Sequence, residues 1–311
     1  MSLASKYRPK TFDDVVEQDI VVDIIQKMCE QPGLPNRNFL LIGTRGSGKT
    51  TLGRCIARKL NGGNGSAIEL DAASNGSIDA VRDIVEQAKQ YPVSTPYKVF
   101  ILDEIHSLSN AAFQVLLLTL EAQPAKSVFI MLTTNPEKIP ATILSRIQVF
   151  RLNNISVDGI AGRLKYVLDS EKDEGRDITY DDDAILYIAK RGRGSMRDAL
   201  TLLDKALIYS GDVTMDNLRV SLHIPDFDSY FDLLGAYVRN DHADIMRIVG
   251  SINDSGTDLV QWFKDFQSFA VNLAKYISLG DLSKTTIPSY YEDRVRNYDH
   301  KHAQACLKLS Q

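Results

Sequence analysis

GTRGSGKT (43–50) is the stretch that decides the fold of the first half of this chain. It follows the apolar run NFLLI and precedes a segment with helical periodicity, and it matches the phosphate-binding pattern G-x-x-x-x-G-K-T. Glycines at these places let backbone N–H groups approach oxygen anions without obstruction by side chains. The motif predicts ATP binding, with Lys49 reaching the β and γ phosphates and Thr50 holding Mg²⁺. The predicted nucleotide-binding residues here are Gly43, Thr44, Arg45, Gly46, Ser47, Gly48, Lys49, Thr50 and Thr51.

A second motif, VFILDEIH (99–106), places two acids after an apolar strand. We expect Asp103 to bind Mg²⁺ directly or through water, and Glu104 to polarise the water that attacks the γ-phosphate. An acid that merely ends a strand is the alternative for Asp103. His106 is interpreted as a structural residue. The two motifs together predict ATP hydrolysis, not only nucleotide storage.

Composition narrows the class of protein. Among 311 residues, 36 Lys and Arg face 40 Asp and Glu, a formal net charge of −4 that is no signature of a nucleic-acid-binding protein. The sequence has no 18-residue apolar run and no signal pattern, so we expect a cytoplasmic protein, bacterial or in the host cytoplasm if viral. Cys29, Cys55 and Cys306 lack metal-ligand spacing, which predicts reduced thiols and no zinc site.

Alternating strand and helix patterns from residue 38 to residue 151 predict an α/β domain, a five-stranded parallel sheet with helices on both faces. The later sequence reads as helical throughout. We therefore predict a nucleotide-binding domain (1–152), a small helical lid domain (153–223) and an α-helical collar domain for oligomerisation (224–311). The candidate strands are 38–42, 67–70, 97–102, 127–132 and 147–151.

The start of a helix in the predicted lid carries an unusual charge. Ser195 to Asp198 has the S-x-x-D form of a capping box, which puts Arg197 in the first helical turn. Helix N-termini favour anions, so a cation there needs a reason, and a nearby triphosphate would supply one. A surface ion pair with Asp198 is the alternative.

Several segments in order resemble the AAA+ clamp-loader ATPases, in particular the gamma/tau subunits of bacterial DNA polymerase III and, more distantly, the small subunits of replication factor C. The likeness covers most of the chain and becomes loose past about residue 225. Besides the two motifs above, it rests on KYRPKTFDDVVEQD (6–19), ELDAASN (69–75), TTNPEKIPATILSR (133–146) and RGSMRDALTLLDKAL (193–207).

The resemblance implies further residues around the nucleotide. Thr134 matches the polar sensor beside the γ-phosphate, with Asn135 as the alternative, and Arg197 matches the arginine that meets the nucleotide from the lid. Arg146 matches the arginine that enters the ATP site of the neighbouring subunit, and a surface charge is its alternative. The residues implied around adenine and ribose are Tyr7, Arg8, Val15 and Val16.

The sequence also departs from the family pattern. A glycine-rich turn (61–66) stands where gamma/tau subunits carry a cysteine-rich zinc module, Ile147 replaces a cysteine after Arg146, and Glu17 replaces a glycine near the adenine. From the chain's end at Gln311 we expect no tau-type extension. These features are typical of a compact variant, such as a viral one.

By resemblance the partners are primer-template DNA, a sliding clamp and other loader subunits, identical or different, in a pentameric spiral. Arg82 occupies the position of a phosphate-contacting residue, and Lys89 is a weaker candidate. The alternative for Arg82 is an ion pair with Glu86 or Asp79.

The favoured function is ATP-driven opening of the clamp and its loading on primed DNA during replication. The alternatives are an AAA+ DNA motor or helicase, a non-hydrolysing scaffold subunit, and a small-molecule P-loop kinase.

Overall fold

The computed structural model describes residues 2–34, 38–64, 67–122, 124, 126–222, 227–288 and 291–309. The chain falls into two compact units, Met1–Arg163 with Gly192–Thr201, and Leu164–Arg191 with Leu202–Gln311. The expected boundary at 223/224 and the last two residues of the 61–66 turn lie outside the described residues. The division into three domains stays a prediction.

A five-stranded sheet forms the centre of the first unit, in the order β2-β3-β4-β1-β5. Every neighbouring pair is parallel. The predicted sheet is therefore confirmed, with each strand within one residue of its expected bounds. The strands are β1 (Asn38–Ile42), β2 (Ile68–Asp71), β3 (Lys98–Asp103), β4 (Ser127–Thr133) and β5 (Gln148–Arg151).

Sixteen α-helices accompany these strands in the part of the chain that the structure describes. They are α1 (Leu3–Lys6), α2 (Asp19–Glu30), α3 (Lys49–Leu60), α4 (Ala72–Asn75), α5 (Ile78–Lys89), α6 (Asn110–Ala122), α7 (Ala141–Leu144), α8 (Val157–Asp173), α9 (Asp182–Arg191), α10 (Met196–Ser210), α11 (Met215–Ser221), α12 (Phe227–Val238), α13 (His242–Asp254), α14 (Leu259–Leu279), α15 (Glu292–Val295) and α16 (His300–Leu309).

Alternate side chains of the central strands lie on opposite faces of the sheet and belong to two separate hydrophobic cores. Phe100 and Phe129 share one core with α5 and α6. Ile101 and Ile130 share the other with α3 and α2. All seven residues of β4 are buried, as expected of a central strand covered by helices on both faces. The sheet is thereby fixed in position, and the loops at its carboxyl end rest on a rigid base.

The register of the strands brings three loops together. Ile42 pairs with Thr133, and Leu102 pairs with Met131, so β1, β3 and β4 end at the same edge of the sheet. The Gly43 N–H donates to the Thr133 carbonyl oxygen at 3.2 Å and extends this alignment by one residue. Ligands of open parallel sheets bind outside the carboxyl ends of the strands.

Helices make up the second unit, and aromatic residues fill its core. Tyr230, Trp262 and Phe269 are buried in one cluster, in which the rings of Tyr230 and Trp262 lie 5.0 Å apart. Phe263, whose ring meets that of Trp262 edge-on with centroids 5.4 Å apart, is 43% exposed. The buried stripe of α14 therefore excludes Phe263.

The three cysteines are free thiols, as the sequence predicts. Burial raises the pKa of each thiol to about 12, so the thiolate is scarce at neutral pH. None of the helices in the described ranges is long and apolar enough to cross a membrane.

Replacing Phe129 by alanine should test the central packing. Phe129 is 1% exposed and its ring stacks on Phe100 with centroids 5.2 Å apart. The cavity left behind should lower the free energy of unfolding by about 3–5 kcal/mol. The exposed Leu118 provides the control, because Leu118→Ala should change stability by less than about 0.5 kcal/mol. Urea unfolding of both variants measures the difference, and equal stabilities would contradict the assigned core.

Candidate nucleotide-binding site

The phosphate-binding loop runs from the end of β1 into α3. Gly46 and Gly48 have φ angles of +79° and +98°, in the left-handed region that favours glycine. A Cβ on Gly46 would lie 1.8 Å from Ser195 Oγ, so a side chain has no room there either. No side chain caps α3, which begins at Lys49, so its first-turn N–H groups and its dipole suit an anion.

Lys49 is the buried cation of this loop, with 6% of its surface exposed. Its Nζ donates to the carbonyl oxygens of Gly43 at 2.8 Å and Thr44 at 3.0 Å. The pKa of Lys49 is lowered because the side chain is buried. The nearby carboxylates of Glu104 and Asp103 offset only part of that shift. The ammonium group is thus held next to the loop by neutral oxygens, which a stronger anionic acceptor can replace.

Thr50 and Asp103 form the oxygen pair predicted to hold Mg²⁺. Thr50 Oγ1 donates to Asp103 Oδ2 at 3.0 Å, and Asp103 Oδ1 accepts from the Glu104 N–H at 2.9 Å. A hydroxyl and a carboxylate that converge in this way are the hard oxygen ligands that Mg²⁺ takes alongside phosphates and water. These two residues therefore fit the ion.

Glu104 is held by an unexpected set of neighbours. Its backbone is in the left-handed region at φ +49°. Its Oε2 accepts from the N–H of Thr134 at 3.3 Å and from the hydroxyl of Thr134 at 3.1 Å. His106 Nδ1 lies 3.2 Å from the same oxygen. Thr134 therefore contacts Glu104, and His106, interpreted as structural from the sequence, belongs to this site.

A cleft brings most of the predicted nucleotide-site residues together, but Gly43, Thr44 and Thr134 are not among the residues that line it. Tyr7, Arg8, Val15 and Val16 line it with residues 45–51, Asp103, Glu104 and Arg197. The sequence did not single out six other lining residues: Ala4, Pro9, Ile155, Arg163, Met196 and Leu200. The Arg163 guanidinium donates to the Tyr7 carbonyl oxygen at 3.0 Å and so ties the N-terminal segment to α8. The individual roles of the lining residues stay predictions.

The charges of this cleft favour an anion. Among the described residues, five cations line it against the two carboxylates of Asp103 and Glu104. The cations are Arg8, Arg45, Lys49, Arg163 and Arg197. Such a surplus attracts a polyphosphate even though the whole chain is acidic. Ser195 caps α10, with its Oγ accepting from the Asp198 N–H at 3.2 Å, and Arg197 in the first turn is one of these cations.

The strand-to-helix connection after β5 is fastened to the N-terminal segment. Gln18 exchanges two hydrogen bonds with the backbone of Asn153, at 2.8 and 3.0 Å. The Glu17 carboxylate accepts from the N–H and the hydroxyl of Ser156, just before α8. Thr44 of the phosphate-binding loop donates to Asn154 Oδ1 at 2.5 Å. Glu17 is not among the residues that line the cleft, so its carboxylate acts on this connection.

Arg146 lies outside the cleft and is exposed. Its guanidinium pairs with Glu121 at 2.7 Å and donates to the Thr142 carbonyl oxygen at 2.9 Å. On α5, Arg82 pairs with Asp79 at 3.0 Å, and Lys89 pairs with Glu86 at 2.6 Å. Exposed ion pairs of this kind contribute little to stability, so these cations exchange partners readily.

Two family models match the chain. "DNA polymerase III, delta subunit" matches residues 66–156, and "DNA polymerase III clamp loader subunit, ATPase lid domain" matches residues 159–212. Among solved structures, the RuvB Holliday junction branch migration motor of Thermotoga maritima superposes with a TM-score of 0.59 at 20% identity. That match covers 75% of this chain and 79% of the RuvB chain. It supports the AAA+ fold and nothing beyond the fold.

Several relatives are named as tau or gamma subunits of bacterial DNA polymerase III. DNA polymerase III subunit tau of Bacillus subtilis is 37% identical over 67% of this chain, and that of Escherichia coli is 34% identical over 84%. The chain spans about two fifths of the length of these two proteins, 39% and 42%. DNA polymerase III subunit gamma of Buchnera aphidicola (Acyrthosiphon pisum) is 33% identical over 99% of this chain and 90% of its own length. The chain therefore belongs to the DNA polymerase III gamma/tau family.

Proposed function

We propose that this protein is an ATP-hydrolysing subunit of a DNA sliding-clamp loader. The observation that carries the proposal is the grouping of Lys49, the Thr50–Asp103 pair and Glu104 at one edge of the sheet, in a member of the gamma/tau family. A scaffold subunit has no need of these groups together. The substrates and partners below belong to the same proposal.

Nucleotide binding begins with the phosphates. Lys49 Nζ exchanges its two carbonyl acceptors for β- and γ-phosphate oxygens, which repays the cost of keeping a buried ammonium group. The first-turn N–H groups of α3 add a directional anion site. Val15, Val16 and Ile155 supply apolar surface for the adenine, and Arg197 approaches from the start of α10.

Hydrolysis needs a metal ion and a base. Mg²⁺ bound between Thr50 and Asp103 would neutralise charge on the phosphates. Glu104 accepts the proton of the attacking water, and two hydrogen bonds from Thr134 restrict the movement of its carboxylate. Thr134 acts on this step through Glu104, which is how it would sense the γ-phosphate.

Arg146 completes the site of a neighbouring subunit. The exposed guanidinium is paired only with Glu121 among acidic groups in the described residues, so it can leave that partner for a more highly charged phosphate. An arginine supplied in this way stabilises the charge of phosphoryl transfer. Activity then requires an assembly, such as the pentameric spiral expected from the sequence.

Primer-template DNA is the proposed activator. Arg82 and Lys89 are more than half exposed on one helix, in pairs that DNA phosphates can displace. Contacts of this kind give affinity without reading base sequence. A cytoplasmic location is part of the same proposal.

Stimulation of ATP hydrolysis tests the function as a whole. In the assembled complex, primer-template DNA and the sliding clamp of the same genome together should raise the steady-state rate at least about tenfold, because each completes the active arrangement. Single-stranded DNA alone is the comparison. If single-stranded DNA alone stimulates hydrolysis and the clamp does not change the rate, a DNA motor is favoured. If no ATP is hydrolysed under any condition, a scaffold subunit is favoured.

Lys49 and Glu104 should separate binding from chemistry. Lys49→Ala should abolish ATP binding, because the loop loses its phosphate-facing cation. Glu104→Gln should keep the ATP affinity within about threefold while lowering kcat by about 10³-fold, the order of effect expected for general base catalysis. Fluorescent-nucleotide titration and single-turnover hydrolysis measure the two quantities. Unimpaired hydrolysis by the glutamine variant would overturn the assignment of Glu104.

Arg146 should matter only in the assembly. Arg146→Ala should leave nucleotide affinity unchanged and lower the stimulated kcat by about 10³-fold, as expected for a charge supplied in trans. Arg58→Ala, which removes an exposed arginine from α3, serves as the control and should have no effect. Mixing Arg146→Ala subunits with Lys49→Ala subunits should restore part of the activity at the interfaces that combine two intact halves. Full activity of the Arg146→Ala complex would refute the assignment.

A further inference from the structure

His106 lies beside the proposed base on the 3₁₀ turn Ile105–Ser107 that follows β3. Its Nδ1 is 3.2 Å from Glu104 Oε2 and 3.1 Å from Thr133 Oγ1. The His106 side chain is only 14% exposed. Thr133 ends β4 and is completely buried, so one side of the imidazole is fixed to the rigid sheet.

Hydrogen-bond accounting assigns the proton on this ring. The carboxylate oxygen of Glu104 can only accept, so an unprotonated Nδ1 at 3.2 Å would set two lone pairs against each other. Thr133 Oγ1 already accepts from the Asn135 N–H at 3.1 Å and tolerates a further donor. An Nδ1–H donates to Thr133 Oγ1 and turns the positive edge of the ring towards Glu104 Oε2. The geometry therefore favours the Nδ1–H form of His106.

All the donors around Glu104 converge on one oxygen. The Thr134 N–H and hydroxyl donate to Oε2 at 3.3 and 3.1 Å, and His106 Nδ1 lies 3.2 Å from the same oxygen. Within the described residues Oε1 takes no hydrogen bond. Oε2 of Glu104 is therefore occupied by the Thr134 donors at the end of β4, whereas Oε1 is available to another donor.

We propose that His106 is a positioning residue for ATP hydrolysis. Its Nδ1–H donates to Thr133 and places the positive edge of the ring 3.2 Å from Oε2 of Glu104, which leaves Oε1 to accept the proton of the attacking water. Rigid support of this kind matters because a base displaced by about 1 Å can lose about 10²-fold in rate. The inference rests on the proposed ATPase function and assigns a chemical task to a residue that the sequence marked as structural.

Two substitutions distinguish a hydrogen bond from mere packing. An asparagine amide nitrogen can occupy nearly the place of Nδ1, whereas leucine fills similar space with no donor. In the assembled complex with DNA and clamp, His106→Leu should lower kcat by about 10–100-fold with the ATP Kd unchanged, and His106→Asn should stay within about threefold of wild type. His242→Leu, at an exposed histidine that begins α13, is the control and should behave as wild type.

Each result has a definite meaning. An unimpaired His106→Leu complex would overturn the positioning role alone, provided that the wild-type complex hydrolyses ATP. Equal losses in the leucine and asparagine variants would also overturn it, because packing would then explain both. Failure of the wild-type complex to hydrolyse ATP would instead overturn the proposed function, and the role of His106 with it.

The tautomer of His106 can be measured without any assay of ATP hydrolysis. Long-range ¹⁵N–¹H correlation spectra of the histidine-labelled chain should show an Nδ1–H imidazole that disappears in His106→Asn, separate from that of His302, whose Nδ1 lies 2.7 Å from Asp299 Oδ1. Its shifts should change in Glu104→Gln, since the acceptor loses its charge. An Nε2–H form of His106, or shifts indifferent to Glu104→Gln, would contradict the proposed contact.

Discussion

The common ending of β1, β3 and β4 is the constraint on which the rest of the site depends. Parallel pairing sets Ile42 beside Thr133, and the next residue of each strand carries the chain out into a functional loop. A slip of one residue in register would exchange the two faces of a strand and bury the wrong side chains. The same apolar packing that stabilises the sheet therefore fixes the distance between the phosphate-binding loop and the acids.

Sequence reasoning succeeded where chemistry allows few residue types. The phosphate-binding loop needs Gly46 and Gly48 because their φ angles are positive, and the buried strands alternate between two cores, so both leave strong patterns. Helix ends were less certain. The sequence of α8 does not by itself mark its end at Asp173, since nothing in its last turn forbids further helical residues.

The part of the site that sequence could not foresee arises from side-chain geometry between separate strands. Thr134 and His106 meet on one oxygen of Glu104 only because β3 and β4 are neighbours and the backbone at Glu104 turns sharply through φ +49°. The sequence shows that His106 follows the two acids, but it does not show the direction in which the imidazole ring points. The D-E-x-H order was the only available signal, and it was read as structural.

Hydrogen bonds hold residues 153–156, so α8 is fixed at its N-terminal end. Its first turn is tied through Glu17 and Ser156, while Asn154 in the same connection holds Thr44 of the phosphate-binding loop. A helix of 17 residues is about 25 Å long, so a rotation of about 5° at its fixed end moves the other end by ~2 Å. The displacement caused by any rotation of α8 about residues 153–156 is therefore largest at Asp173.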